Sequence, residues 1–144
     1  MRRHRVLLVD DYVSAANATA QLLRVAGHTV MIAYDADRVV PIAVDFQPDA
    51  IFLDIGLPGD TDGVALARRL RKHPSLDTTV LVALTGYDAP EERSRIRDAG
   101  FDHYLLKPVS LEVLEAIIAE TDARVSAEDD GLEAEVPKGN SVVS

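Results

Sequence analysis

Five short apolar runs, each followed by a stretch with helical punctuation, constrain this chain more than any other feature of its sequence. They are RVLLV (5–9), TVMIA (29–33), AIFL (50–53), TVLVAL (79–84) and HYLL (103–106). All are aliphatic and β-branched without clean polar alternation, as strands buried on both faces should be. Between them, residues 15–26 are rich in Ala and Leu and stop at Gly27, a residue suited to ending a helix. Asp88-Ala89-Pro90-Glu91 offers an N-cap, a first-turn proline and a capping-box glutamate, and Gly100 closes that helix. Ser110 can cap the last helix, whose Leu111, Leu114, Ile117, Ile118 and Thr121 fall on one face. The second helix, about 37–46, contains Pro41 and is predicted to start late or kink. Strand and helix alternating five times predict an α/β fold, a parallel sheet with helices on both faces.

The chain has 144 residues, 47% of them hydrophobic, which suits one domain with a single core. We place that domain at residues 1–123 and an acidic, flexible C-terminal tail at 124–144. In SAEDDGLEAEVPKGNSVVS, five acidic residues against Lys138 give −5 + 1 = −4 of the total −9. Such a segment cannot bury enough apolar surface to offset its ordering entropy. The opening MRRHRVLLVDD is basic and then apolar, but its apolar run is too short for a signal peptide and ends in two aspartates. It reads as a buried strand with a solvated basic lead-in. The absence of cysteine excludes disulfides and thiolate metal sites and fits a cytoplasmic location. Net charge −9 argues against nucleic acid as a direct partner, and no apolar run approaches a membrane span.

In an open parallel α/β sheet, ligands bind beyond the carboxyl ends of the strands. Asp10 and Asp11 follow the first run, Asp54 the third, Thr85 the fourth, and Lys107-Pro108 the fifth; only Tyr34 and Asp35 follow the second. Each residue has an ordinary reading alone, as a turn, a cap or a surface lysine. Together they put three carboxylates, a hydroxyl and an ammonium on one edge. Clustered carboxylates repel unless a cation sits among them, and an all-oxygen set suits Mg²⁺, with Mn²⁺ as the substitute. A lysine and a hydroxyl beside such an ion can neutralise and hydrogen-bond a transferring phosphoryl group. A carboxylate standing apart on its own strand can then serve as nucleophile and form an aspartyl phosphate.

VLLVDD, IFLDIGLPG, LVALTGY and DHYLLKP, in that order after those strands, resemble the receiver domain of two-component response regulators. The resemblance covers roughly residues 5–121. It implies a flavodoxin-like five-stranded sheet of order 2-1-3-4-5. It implies Asp54 as phosphoacceptor, and Asp10, Asp11, Asp54 and the Gly56 carbonyl as metal ligands. Thr85 becomes the switch hydroxyl, Lys107 the charge partner, and Tyr104 the aromatic that turns inward on activation. A cis bond before Pro108 is frequent in the family. The loop PGDTDG is one residue longer than the family's usual form, which bears on partner contacts rather than on the site.

Other readings fit less well. A Toprim-type nucleic-acid enzyme has its Asp-x-Asp at Asp60-Thr61-Asp62, six residues beyond the strand tip, and no glutamate follows the first run. A haloacid-dehalogenase-like phosphatase needs an aspartate where Gly56 stands, and DDYVSAA lacks a dinucleotide-binding glycine pattern. The alternative from another class is a phosphorylation-independent pseudo-receiver acting as an interaction module, although such domains usually lose acidic or lysine positions. The expected protein is therefore a single-domain response regulator with no output domain encoded; a relay shuttle, or a receiver whose output segment lies outside this sequence, is also consistent with the residues. It takes a phosphoryl group on Asp54 from a histidine kinase or histidine phosphotransfer protein and signals to a downstream protein target. It is no enzyme acting on another substrate, and assists only its own phosphorylation and autodephosphorylation. DIGLPG and LTGY resemble receivers attached to hybrid histidine kinases, which favours a relay.

Overall fold

The computed structural model describes residues 4–55, 63–86 and 90–130, and no side chains among 90–92 or 123–130. Five parallel strands form one sheet: β1 (Arg5–Val9), β2 (Thr29–Ala33), β3 (Ala50–Asp54), β4 (Val80–Thr85) and β5 (His103–Leu106), in the order β2-β1-β3-β4-β5. The helices are α1 (Val13–Val25), α2 (Val39–Phe46), α3 (Gly63–Arg71), α4 (Pro90–Asp98) and α5 (Leu111–Asp130). This is the doubly wound, flavodoxin-like order expected from the sequence.

Alternation within the strands splits the core in two. Leu7, Val9, Ile51, Leu53, Leu81 and Ala83 pack toward α2, α3 and α4. Val6, Leu8, Ala50, Phe52, Val80 and Val82 pack toward α1 and α5, meeting Leu23, Leu114 and Ile118. Burying both faces of β3, where every residue is buried, explains why its sequence shows no polar alternation. Full burial of such side chains contributes about 1.5–3 kcal/mol each relative to exposure.

The helix signals act as anticipated. Gly27 and Gly100 adopt φ of +107° and +109° at the ends of α1 and α4, a conformation that costs glycine little. The Ser110 hydroxyl accepts from the Val113 amide at 3.2 Å. Pro41 is the third residue of α2, which starts late behind a 3₁₀ turn at Ala36–Arg38. First-turn amides have no partner within a helix, so proline costs little there. Asp88 and Ala89 lie outside the described residues.

Three expectations need correction. β3 and β4 each run one residue further than the apolar runs, so Asp54 and Thr85 end their strands rather than follow them. The helix α5 continues to Asp130, well past the apolar pattern. No Gly or Pro interrupts the sequence before Gly131, and its Ala, Glu and Arg residues favour helix. The lead-in is not solvated at His4, which is 5% exposed and bonded through Nε2 to Asp122 Oδ1 at 3.0 Å.

Candidate functional site

Backbone pairing sets the height of each candidate side chain at the carboxyl edge. The Asp10 amide donates to the Ala33 carbonyl at 3.1 Å, and the Ile55 amide to the Leu84 carbonyl at 2.9 Å. The Lys107 amide donates to the Thr85 carbonyl at 2.8 Å. The sheet ladder thus continues one step past the strands, holding Asp10, Asp54, Thr85 and Lys107 on rigid supports.

Asp10, Asp11 and Asp54 each present a carboxylate oxygen, and these oxygens all lie within 4.8 Å of one another. Asp54 is 8% exposed, while Asp11 is open to solvent. The Lys107 ammonium donates to Asp54 Oδ2 at 3.1 Å. Asp10 Oδ1 accepts from the Tyr12 amide at 3.0 Å, which fixes its orientation. Among the described residues, the three carboxylates outnumber the Lys107 ammonium and leave a surplus of negative charge. That surplus, with oxygen donors only, fits a hard divalent cation that keeps several waters. The site opens into a cavity of about 520 Å³, continuing over Ala15, Thr19, Val109 and Leu114 between α1 and α5. The outer surface of α1 beside it carries exposed Tyr12, Val13, Leu22 and Val25, and Arg24 is its only charged residue.

Thr85 is half-buried at the end of β4, opposite Leu106 in register. Tyr104 is half-buried against the α2–α3–α4 side of the core, and the Arg93 guanidinium lies 5.1 Å from its ring centroid. The Lys107–Pro108 peptide is cis. Gly56, expected to supply a carbonyl, and the Asp60-Thr61-Asp62 pair lie outside the described residues.

One supporting residue escaped the sequence reading. A Cβ on Gly63, the first residue of α3, would stand 2.9 Å from both Ile55 Cα and Leu53 Cδ2. Only glycine lets α3 approach the backbone beside Asp54 this closely. A glycine opening a helix, where C-terminal glycine is the rule, was the available signal.

The model of the response regulator receiver domain matches residues 6–119. The response regulator MprA of Mycobacterium ulcerans is 35% identical over 126 residues, covering 88% of this chain and 53% of that protein. A gliding motility regulatory protein of Myxococcus xanthus is 36% identical over 114 residues, 78% of this chain and 14% of that protein. Among the curated MprA relatives it matches, the chain spans about half the length (53% for the first). A CheY-like receiver domain protein from Methanospirillum hungatei JF-1 superposes with a TM-score of 0.77 at 28% identity, covering 87% of this chain and 98% of that one.

Proposed function

The chain belongs to the response regulator receiver domain family, and from that membership we propose that Asp54 is the residue that accepts the phosphoryl group. The observation that carries this reading is the position of Asp54. It is a buried carboxylate ending a central strand, in reach of two further carboxylates and ion-paired to Lys107.

A carboxylate oxygen of Asp54 attacks the phosphorus of a phosphohistidine on a kinase or phosphotransfer protein. The phosphorus–nitrogen bond breaks, the imidazole leaves with its electron pair and takes a proton from solvent, and an acyl phosphate remains on Asp54. Asp10, Asp11 and Asp54 would hold a Mg²⁺ or Mn²⁺ ion, joined by Gly56 as the resemblance implies, and the ion would supply charge neutralisation for the phosphoryl oxygens. Lys107, already 3.1 Å from Asp54, moves its ammonium to a phosphoryl oxygen as the carboxylate charge is consumed. Thr85 gives the phosphoryl group a hydroxyl donor, and Tyr104 follows it inward. The altered surface of α4, β5 and α5 then reaches a downstream protein. The flank of α1 with its exposed apolar residues is the kind of surface on which a donor protein can seat. No helix among the described residues is long and apolar enough to cross a membrane, and we place the protein in the cytoplasm, with no direct nucleic-acid contact.

The test is intact mass after incubation with acetyl phosphate and Mg²⁺. The wild type should gain one phosphoryl group and Asp54→Asn none. Equal gain by the variant would move the acceptor elsewhere. No gain by the wild type would favour a phosphorylation-independent interaction module.

A further inference from the structure

The contact between Arg93 and Tyr104 joins two segments that both lead back to the site. Arg93 lies on α4, eight residues after Thr85, and Tyr104 lies on β5, three residues before Lys107. Thr85 and Lys107 are themselves tied by the amide–carbonyl bond of 2.8 Å. Arg93 on Tyr104 thus clasps α4 to β5.

The Tyr104 ring has one packed side and one open side. It lies against the α2–α3–α4 half of the core. It also borders a cavity of about 500 Å³ lined by Arg93, Ile96, Arg97, Phe101 and Leu106. Open volume beside a half-buried ring leaves it room for a second place. The guanidinium 5.1 Å from its centroid favours the one observed.

We propose that Arg93 is a positioning residue that holds Tyr104 in its resting place and so sets the threshold for switching at Asp54. This rests on the phosphoacceptor reading above and adds the residue that regulates it. A cation–aromatic contact at an exposed site changes a two-place ratio about two- to five-fold. By reciprocity, whatever favours the switched place of Tyr104 tightens phosphoryl binding at Asp54 by the same factor.

The test compares wild type, Arg93→Gln and Arg93→Lys, with ring-¹³C tyrosine NMR and with titration by beryllofluoride and Mg²⁺ as a phosphoryl mimic. Arg93 is exposed, so these substitutions leave the core intact. Tyr104→Phe assigns the signal among four tyrosines. In Arg93→Gln the Tyr104 signal should move toward the beryllofluoride-bound position, and the mimic should bind about two- to five-fold tighter. Arg93→Lys keeps a cation and should lie between the two. In a Tyr104→Leu background, Arg93→Gln should no longer change the affinity. An unmoved Tyr104 signal in Arg93→Gln, or an affinity change that survives Tyr104→Leu, overturns the proposal. If the wild type binds no beryllofluoride while Tyr104 still moves in Arg93→Gln, the clasp stands and the phosphoacceptor reading fails. If the mimic binds and Tyr104 does not respond to Arg93, the clasp alone fails.

Discussion

At the amino edge of the sheet Arg71, His4, His28 and His103 each meet a carboxylate, whereas the carboxyl edge gathers three carboxylates against one lysine. Arg71 donates to Asp102 at 2.9 Å and to the carbonyls of Gly100, Leu76 and Thr79 at 2.9–3.0 Å. His4, His28 and His103 pair with Asp122, Glu115 and Glu120 of α5 at 3.0, 2.7 and 2.8 Å. Charge there is answered within the fold, so the edge binds loops and helix to sheet. The three carboxylates of Asp10, Asp11 and Asp54 instead converge on one point, an arrangement that suits a cation from outside. The same side-chain types serve cohesion at one edge and leave the other ready for a ligand.

The largest effect expected from breaking this contrast is at Arg71. Replacing it with alanine takes a donor from the carbonyls of Gly100, Leu76 and Thr79 and removes the Arg71 cation from Asp102, about a quarter exposed. We expect a loss of about 3 kcal/mol in urea unfolding, with Mg²⁺ affinity unchanged. A comparable loss of Mg²⁺ affinity would show that the two edges are coupled and that the contrast is too sharp.

The carboxyl edge should answer the opposite test. Mg²⁺ at one hundred times its dissociation constant should stabilise the wild type by about 2.7 kcal/mol. The double variant Asp10→Ala/Asp11→Ala should lose that response, and without metal should be no less stable than wild type, since two mutually repelling charges are gone. A Mg²⁺-dependent melting shift of wild-type size in the double variant would mean that the ion binds elsewhere.

The carboxyl edge was legible in the sequence and the amino edge was not. Asp10, Asp54, Thr85 and Lys107 each sit within a residue of a strand end, and a parallel sheet brings such positions together whatever the intervening chain does. His4, His28 and Arg71 carry no such address. Their partners lie 118, 87 and 31 positions away, and a histidine reads the same in sequence whether solvated or buried. The clasp at Arg93 depends on the placement of α4, which short-range pattern does not fix. The length of α5 was missed for a different reason. The apolar stripe reports packing rather than helix length, and helix-favouring residues with no Gly or Pro continue beyond it to Asp130.

That last point predicts the smallest effect. Beyond Asp122, the last residue of α5 that anchors a buried histidine, the helix continues with Glu128, Asp129 and Asp130 and no basic residue in its last turn. Acidic residues at a helix C-terminus oppose the macrodipole by about 0.3–1 kcal/mol each at low salt. We therefore propose that residues 124–144 lie outside the cooperative domain. A chain ending at Ala123 should lose less than about 0.5 kcal/mol of stability and take up phosphoryl groups at the wild-type rate. Amide exchange over 124–130 should be fast at low salt and slow slightly as salt screens the repulsion. A chain ending at Thr121 should behave differently, since the buried His4 Nε2 then loses its hydrogen bond to Asp122, at a cost of about 1–3 kcal/mol. Equal stability of the two truncations would remove Asp122 from the amino-edge clasp, and a large loss on cutting at Ala123 would extend the domain to the end of α5.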